Sequence, residues 1–149
     1  MYMLDTNVCI KLMSGDPDIR HRITMIKSSA INICVIVAGE LLYGAYKSSR
    51  INENLNIVNI LLDAMRNIYS VDTETMNIYG QLKAKLTERF SPKDGTNTKL
   101  RKFKIETLGF TDNDLWIASI SIQHNLILMS ADKGLMRLNG MEGLRIENW

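Results

Sequence analysis

The stretch Met1-Tyr2-Met3-Leu4-Asp5-Thr6-Asn7 decides the fold. A short strand-like run stops on a carboxylate, and the chain then turns into a helical pattern. The device recurs further along. Glu40 follows Ile33-Cys34-Val35-Ile36-Val37, and Asp132 follows Leu126-Ile127-Leu128-Met129. Asp114 opens the helix-like run Leu115-Trp116-Ile117-Ala118. If these strands are parallel neighbours in one sheet, their C-terminal ends share an edge and the four acids converge there. Four negative groups in one place repel each other and are costly unless a cation holds them. Oxygen-only ligands favour a hard divalent ion such as Mg²⁺ or Mn²⁺. Such ions activate water and steady the charge of a phosphoryl centre under attack. The pattern therefore points to metal-dependent phosphodiester cleavage.

Strand and helix patterns alternate outward from that first strand. Asn7 to Met13 predicts a short helix, stopped by Gly15, Asp16 and Pro17. Ile19 to Lys27 reads as helix. Ile31 to Val37 reads as a buried central strand, apolar on both faces. A helix is expected from Gly39 to about Ser48, and Leu55, Val58, Leu61, Leu62 and Met65 give the period of another. A third strand is expected at Ile68 to Val71, a long helix at Thr73 to Phe90 and a helix at Thr111 to His124. Leu126 to Met129 is the fourth strand, Lys133 to Leu138 a helical turn and Leu144 to Ile146 the fifth strand. The alternation implies an α/β fold with a mainly parallel sheet covered on both faces, and ligands beyond its carboxyl ends. Ser91 to Gly109 stands outside the pattern. With Pro92, Gly95 and a polar Asp-Gly-Thr-Asn-Thr run, it reads as a long exposed loop.

Composition sets the limits. The 149 residues suit one domain, 1–149, with a proper core. No apolar run is long enough to span a membrane. The first strand is broken by Asp5 and is no secretory leader, so a cytoplasmic protein is expected. Cys9 and Cys34 have no metal-binding spacing and read as buried, inert thiols. The net charge of +2 permits nucleic-acid binding without arguing for it.

The ordered motifs resemble the PIN-domain ribonucleases, and within them the VapC-type toxins of prokaryotic toxin–antitoxin pairs. Met3-Leu4-Asp5-Thr6-Asn7 is similar to that family's opening strand with Asp-Thr-Asn. Glu40-Leu41-Leu42-Tyr43-Gly44 is similar to its Glu-Leu-x-x-Gly segment. Asn113-Asp114-Leu115-Trp116-Ile117-Ala118, Leu128-Met129-Ser130-Ala131-Asp132 and the ending Leu144 to Trp149 follow in order, so the likeness runs through the chain. What the resemblance implies is an α/β/α sandwich with strand order 3-2-1-4-5 and a Mg²⁺- or Mn²⁺-dependent endoribonuclease. It also implies inhibition by a cognate VapB-like antitoxin, with assembly as a homodimer or a hetero-oligomer with that antitoxin. Asp5, Glu40, Asp114 and Asp132 would be the catalytic, metal-holding acids, with Thr6, Asn7 and Ser130 orienting them. The long 91–109 loop departs from the family pattern.

Each acid also has a purely structural reading. Asp5 and Asp132 are able to cap the turns that follow them, and Glu40 to complement a helix dipole in a first turn. Thr111 and Asp114 fit a capping box. Such caps explain any one acid, but not why all four fall at one expected sheet edge. Asp112 competes with Asp114, but residues two apart on a helix are rotated by about 200°, so both cannot face one ion. Asp114 is chosen because it shares a helical stripe with Ile117, and because the family pattern that the chain resembles places its acid directly before Leu-Trp-Ile-Ala.

Other chemistries lack their motifs. No Gly-x-Gly-x-x-Gly, P-loop or Gly-x-Ser-x-Gly is present, and His21 and His124 stand far from the acids in the pattern. Lys99, Arg101, Lys102 and Lys104 are possible RNA phosphate contacts, or simply a solvated basic loop. Apolar surface for an antitoxin is expected around Leu12, Met13, Leu41 and Leu42. Competing readings are a PIN-like module that binds RNA or protein without cutting, a housekeeping RNA-processing nuclease, and a phosphotransfer receiver domain. The last needs an acid pair after the first strand, where this chain has Thr6 and Asn7.

Overall fold

The computed structural model describes residues 1–26, 30–90, 105–109 and 111–149. Strands β1 (Tyr2–Leu4), β2 (Ile31–Cys34), β3 (Ile68–Tyr69), β4 (Ile127–Ser130) and β5 (Arg145–Asn148) form one sheet in the order 3-2-1-4-5. Every neighbouring pair is parallel. The centre joins the two ends of the chain, with Tyr2, Met3 and Leu4 opposite Ile127, Leu128 and Met129. Helices α1 (Thr6–Ser14), α2 (Pro17–Met25), α3 (Val35–Lys47) and α4 (Ile51–Ala64) connect β1 to β2 and β2 to β3. Helices α5 (Thr73–Phe90) and α6 (Asp112–Gln123) bring the chain back across to β4. Right-handed crossovers in opposite directions place the two groups of helices on opposite faces, giving three layers. The direction reverses between β1 and β4, the switch point where such sheets bind ligands.

The core explains why these segments pair. Met3, Leu4, Ile33, Leu128 and Met129 are fully buried in the sheet, and Leu82 and Leu86 of α5 with Leu115, Ile117 and Ile120 of α6 cover it. Cys9 and Cys34 are buried free thiols, both pushed up from the ordinary thiol range by burial. Helix α1 ends where Gly15 takes the left-handed conformation (φ 83°), which glycine adopts without a Cβ clash. Pro17 then opens α2 behind the Asp16 cap.

Three sequence expectations are corrected. β2 stops at Cys34, and Val35 to Val37 begin α3 rather than ending a strand. The β-branched run hides a helical period, since Val37, Ala38, Leu41 and Ala45 are the buried residues of α3. β2 is also not wholly apolar. Asn32 is completely buried, and its amide donates to the Tyr2 carbonyl (2.9 Å) and the Ala30 carbonyl (3.1 Å). Its oxygen accepts from the Asn67 amide at 2.8 Å, tying β1, β2 and the approach to β3 together. The third strand is shorter than expected, two residues instead of four.

Buried polar groups are costly when a partner is lost. Asn32→Ala leaves two carbonyls and the Asn67 amide without their partner. It is expected to destabilise the protein by about 1–3 kcal/mol, read as a lower denaturation midpoint at unchanged m-value.

Candidate active site

β1 and β4 aim their C-terminal ends at one cleft of about 320 Å³, lined by Asp5, Thr6, Asn7, Glu40, Gly109, Thr111, Asp114 and Asp132. All four acids singled out in the sequence meet there. Among the described residues, no lysine or arginine lines it.

Local structure holds each carboxylate. Asp5 caps α1, with its Oδ1 accepting from Val8 N at 2.7 Å, while the buried Ser130 hydroxyl bonds the same carboxylate. The Ser130 Oγ also accepts from Asp132 N at 3.0 Å, and Asp132 Oδ1 accepts from Leu135 N at 2.8 Å. Asp114 closes the capping box of α6, its Oδ2 accepting from Thr111 N (2.6 Å) and Thr111 Oγ1 (2.9 Å). Capping and cleft lining are thus the same three side chains in two roles. Glu40 is the exception. It lies in the second turn of α3, beyond the reach of a first-turn dipole role. Tertiary bonds hold it instead: Thr6 Oγ1 donates to Oε2, and Asn113 Nδ2 donates to Oε1 at 2.6 Å.

The electrostatics follow from the crowding. Burial holds Asp5 above its ordinary carboxylate value, and the charges of Asp114 and Asp132 push the same way against the Ser130 and Val8 hydrogen bonds. Burial likewise raises Asp114, with Asp132 and Glu40 adding to it against the Thr111 bonds. Asp112 behaves as an outside residue. It accepts from Lys83 Nζ (2.6 Å) and Tyr79 OH (2.8 Å), and Lys83 draws its carboxyl below the usual range.

The donor set is oxygen-only and electronegative, as a hard divalent ion requires. Among the described residues, no three Asp, Glu, His or Cys side chains are drawn tightly enough to cage an ion as they stand. The reason is visible in the bonds above, which pull Glu40 toward Thr6 and Asn113 and Asp114 toward Thr111. Asp114 Oδ1 and Asp132 Oδ2 take no hydrogen bond from a described residue.

Thr6 and Ser130 bond the acids as the sequence suggested, and Asn7 lines the cleft. Asn113, quoted in the sequence beside Asp114, bonds Glu40, and Gly109, which no motif marks, lines the cleft. Lys99, Arg101, Lys102 and Lys104 lie outside the described residues.

An apolar groove of about 410 Å³ adjoins the cleft, lined by Ile10 and Met13 of α1, Leu41 and Ala45 of α3, and Ile57 and Val58 of α4. Glu40 lines both groove and cleft. Of the four apolar residues expected on this surface, Met13 and Leu41 line the groove and Leu12 and Leu42 do not; Leu41 is buried in the core, and the other three are half-buried against it.

Known proteins share this architecture. The chain is 28% identical to ribonuclease VapC2 of Rickettsia felis, over 100% of this chain and 98% of the relative. It is 28% identical to the tRNA(fMet)-specific endonuclease VapC of Salmonella typhimurium, over 99% and 97%. Among solved structures it matches VapBC2 from Rickettsia felis bound to a promoter DNA fragment, with TM-score 0.76 and 26% identity over 99% of this chain and 98% of that one. It matches DNA-bound VapBC from Salmonella typhimurium with TM-score 0.78 and 27% identity, over 99% and 97%. The PIN domain model matches residues 2–140, and with the sheet order and the acid cleft in view the chain belongs to the PIN-domain family.

Proposed function

We propose that the protein is an endoribonuclease toxin of a toxin–antitoxin pair, dependent on Mg²⁺ or Mn²⁺ and acting in the cytoplasm. The observation that carries this reading is the convergence of four carboxylates in one cleft, with no cation among the described residues that line it. The names of the relatives support the substrate class, since the Rickettsia felis protein is a ribonuclease and the Salmonella typhimurium protein an endonuclease specific for tRNA(fMet). No described helix is long and apolar enough to cross a membrane.

In this reading Asp5, Glu40, Asp114 and Asp132 hold the ion. When bound, the ion supplies Lewis acidity, lowering the pKa of a water and offsetting charge on the phosphoryl group. The chain's own groups do the rest. Ser130 and the Val8 amide fix the direction of Asp5, and Thr6 and Asn113 fix Glu40. Asp114 Oδ1 and Asp132 Oδ2, which take no hydrogen bond from a described residue, would be the oxygens available to hold the ion or to take a proton from water. No protein nucleophile is needed, and attack by water leaves 5′-phosphate and 3′-hydroxyl ends. The antitoxin, a VapB-like chain, lays apolar side chains in the groove between α1, α3 and α4 and reaches past Glu40 into the cleft. A guanidinium there matches paired carboxylates.

Asp114→Asn and Asp5→Asn are expected to lower RNA cleavage on the order of a hundredfold or more while preserving the cap acceptors. Asp112→Asn is expected to cleave like wild type and to lose at most about 1 kcal/mol of stability, because its partners face outward. Cleavage assays on the three purified variants decide the assignment. Wild-type rates in a folded Asp114→Asn protein would sink it.

The raised acids also predict a pH effect. A folded carboxyl that holds its proton above the unfolded value of 3.8 makes the native state bind more protons. Stability then falls as pH rises from that value through the raised one. Asp5→Asn should therefore melt higher than wild type at neutral pH, with the gain shrinking as the pH drops to that ordinary value. Added Mn²⁺ should raise the wild-type midpoint and leave that of Asp5→Asn nearly fixed. Melting curves across pH, with and without Mn²⁺, test both signs.

A further inference from the structure

The segment that returns toward α6 is fastened beside the acids. Gly109 lines the cleft with bare backbone, held in the left-handed region at φ 88°. Its carbonyl lies so close to Gly134 that a Cβ there would overlap the Gly109 oxygen and sit 2.7 Å from its carbonyl carbon. The same Cβ would stand 2.9 Å from Asp132 Oδ1. One residue back, the Leu108 carbonyl accepts from Arg137 Nη1 at 3.0 Å. Gly134 and Arg137 belong to the turn that Asp132 opens, where Asp132 Oδ1 accepts from Leu135 N and Met136 N bonds the Asp132 carbonyl at 3.0 Å. One wall of the cleft and one of its acids are therefore joined by a close contact that only glycine permits at position 134 and by the Arg137 bond beside it.

We propose that the Gly109–Gly134 contact, tied by Arg137, is a clasp that fixes the width of the cleft for an RNA strand. Gly134 and Arg137 are then positioning residues for substrate. This rests on the ribonuclease reading. A wall shifted outward loosens contacts made to substrate and transition state alike, which appears in KM more than in kcat. Gly134→Ala adds no charge, but it pushes Gly109 away and crowds Asp132, so KM should rise about tenfold, as one lost binding contact produces, with some loss of kcat. Arg137→Ala leaves Asp132 untouched and should raise KM severalfold at unchanged kcat, and Arg137→Lys should recover part of it.

The experiment measures kcat and KM on a short single-stranded RNA, the salt dependence of RNA affinity, melting temperature, and amide exchange at Leu108 and Gly109. Gly80→Ala, built into open space on α5, serves as the neutral control. Support is a KM increase in both clasp variants, an unchanged salt slope, and faster exchange at Leu108 and Gly109. Wild-type KM in both variants overturns the clasp. So does a flattened salt slope in Arg137→Ala with Gly134→Ala unaffected, which marks Arg137 as a plain phosphate contact. The exchange arm needs no RNA. Unchanged exchange overturns the clasp by itself, whereas an inert wild type with accelerated exchange in the variants overturns only the ribonuclease reading.

Discussion

Like-charge repulsion in a partly buried cleft is the constraint around which the rest of the molecule is arranged. Asp5 is 4% exposed, yet it faces two further carboxylates. Left alone, such groups would take up protons or move apart. The fold prevents the second by spending local backbone donors on them: the Val8 amide on Asp5, the Thr111 amide on Asp114 and the Leu135 amide on Asp132. Each of these donors lies at the start of a helix or helical turn and would otherwise lack a partner. Helix capping and charge storage are solved by the same atoms.

Glu40 is held differently, by side chains from other segments rather than by backbone donors. Its two oxygens are taken by side chains from β1's exit and from α6, not by its own helix. It also borders both the acid cleft and the apolar groove. A molecule seated in the groove therefore meets Glu40 before any other acid, and two neutral hydrogen bonds are all that a cationic group has to displace there.

The architecture was largely legible from the residues. α5 falls at Thr73–Phe90 as its period predicted, because Leu82 and Leu86 face a core undisturbed by other signals. Asp5 and Asp132 were legible as acids at strand ends, and Asp114 as the acid of a capping motif at a helix start. The β2–α3 boundary was not. Val35-Ile36-Val37 favours a strand locally, and only packing of Val37 and Leu41 into the core turns it into helix. Asn113's hold on Glu40 spans distant segments and leaves no local trace. The groove was half legible: the early helices were right, but helical rotation decides that Ile10 and Met13 line it while Leu12 does not.

The pairing of β1 with β4 has a consequence for the order of assembly. Tyr2 finds its partner in Ile127, so the middle of the sheet closes only across nearly the whole chain. Contacts so distant in sequence form late, because the loop-closure entropy must be met before they contribute. During synthesis Asp5 and Glu40 leave the ribosome early, but the cleft has no far wall until β4 arrives and Asp132 with it. The cleft and the centre of the sheet therefore form together, when β4 pairs with β1 and brings Asp132 beside Asp5.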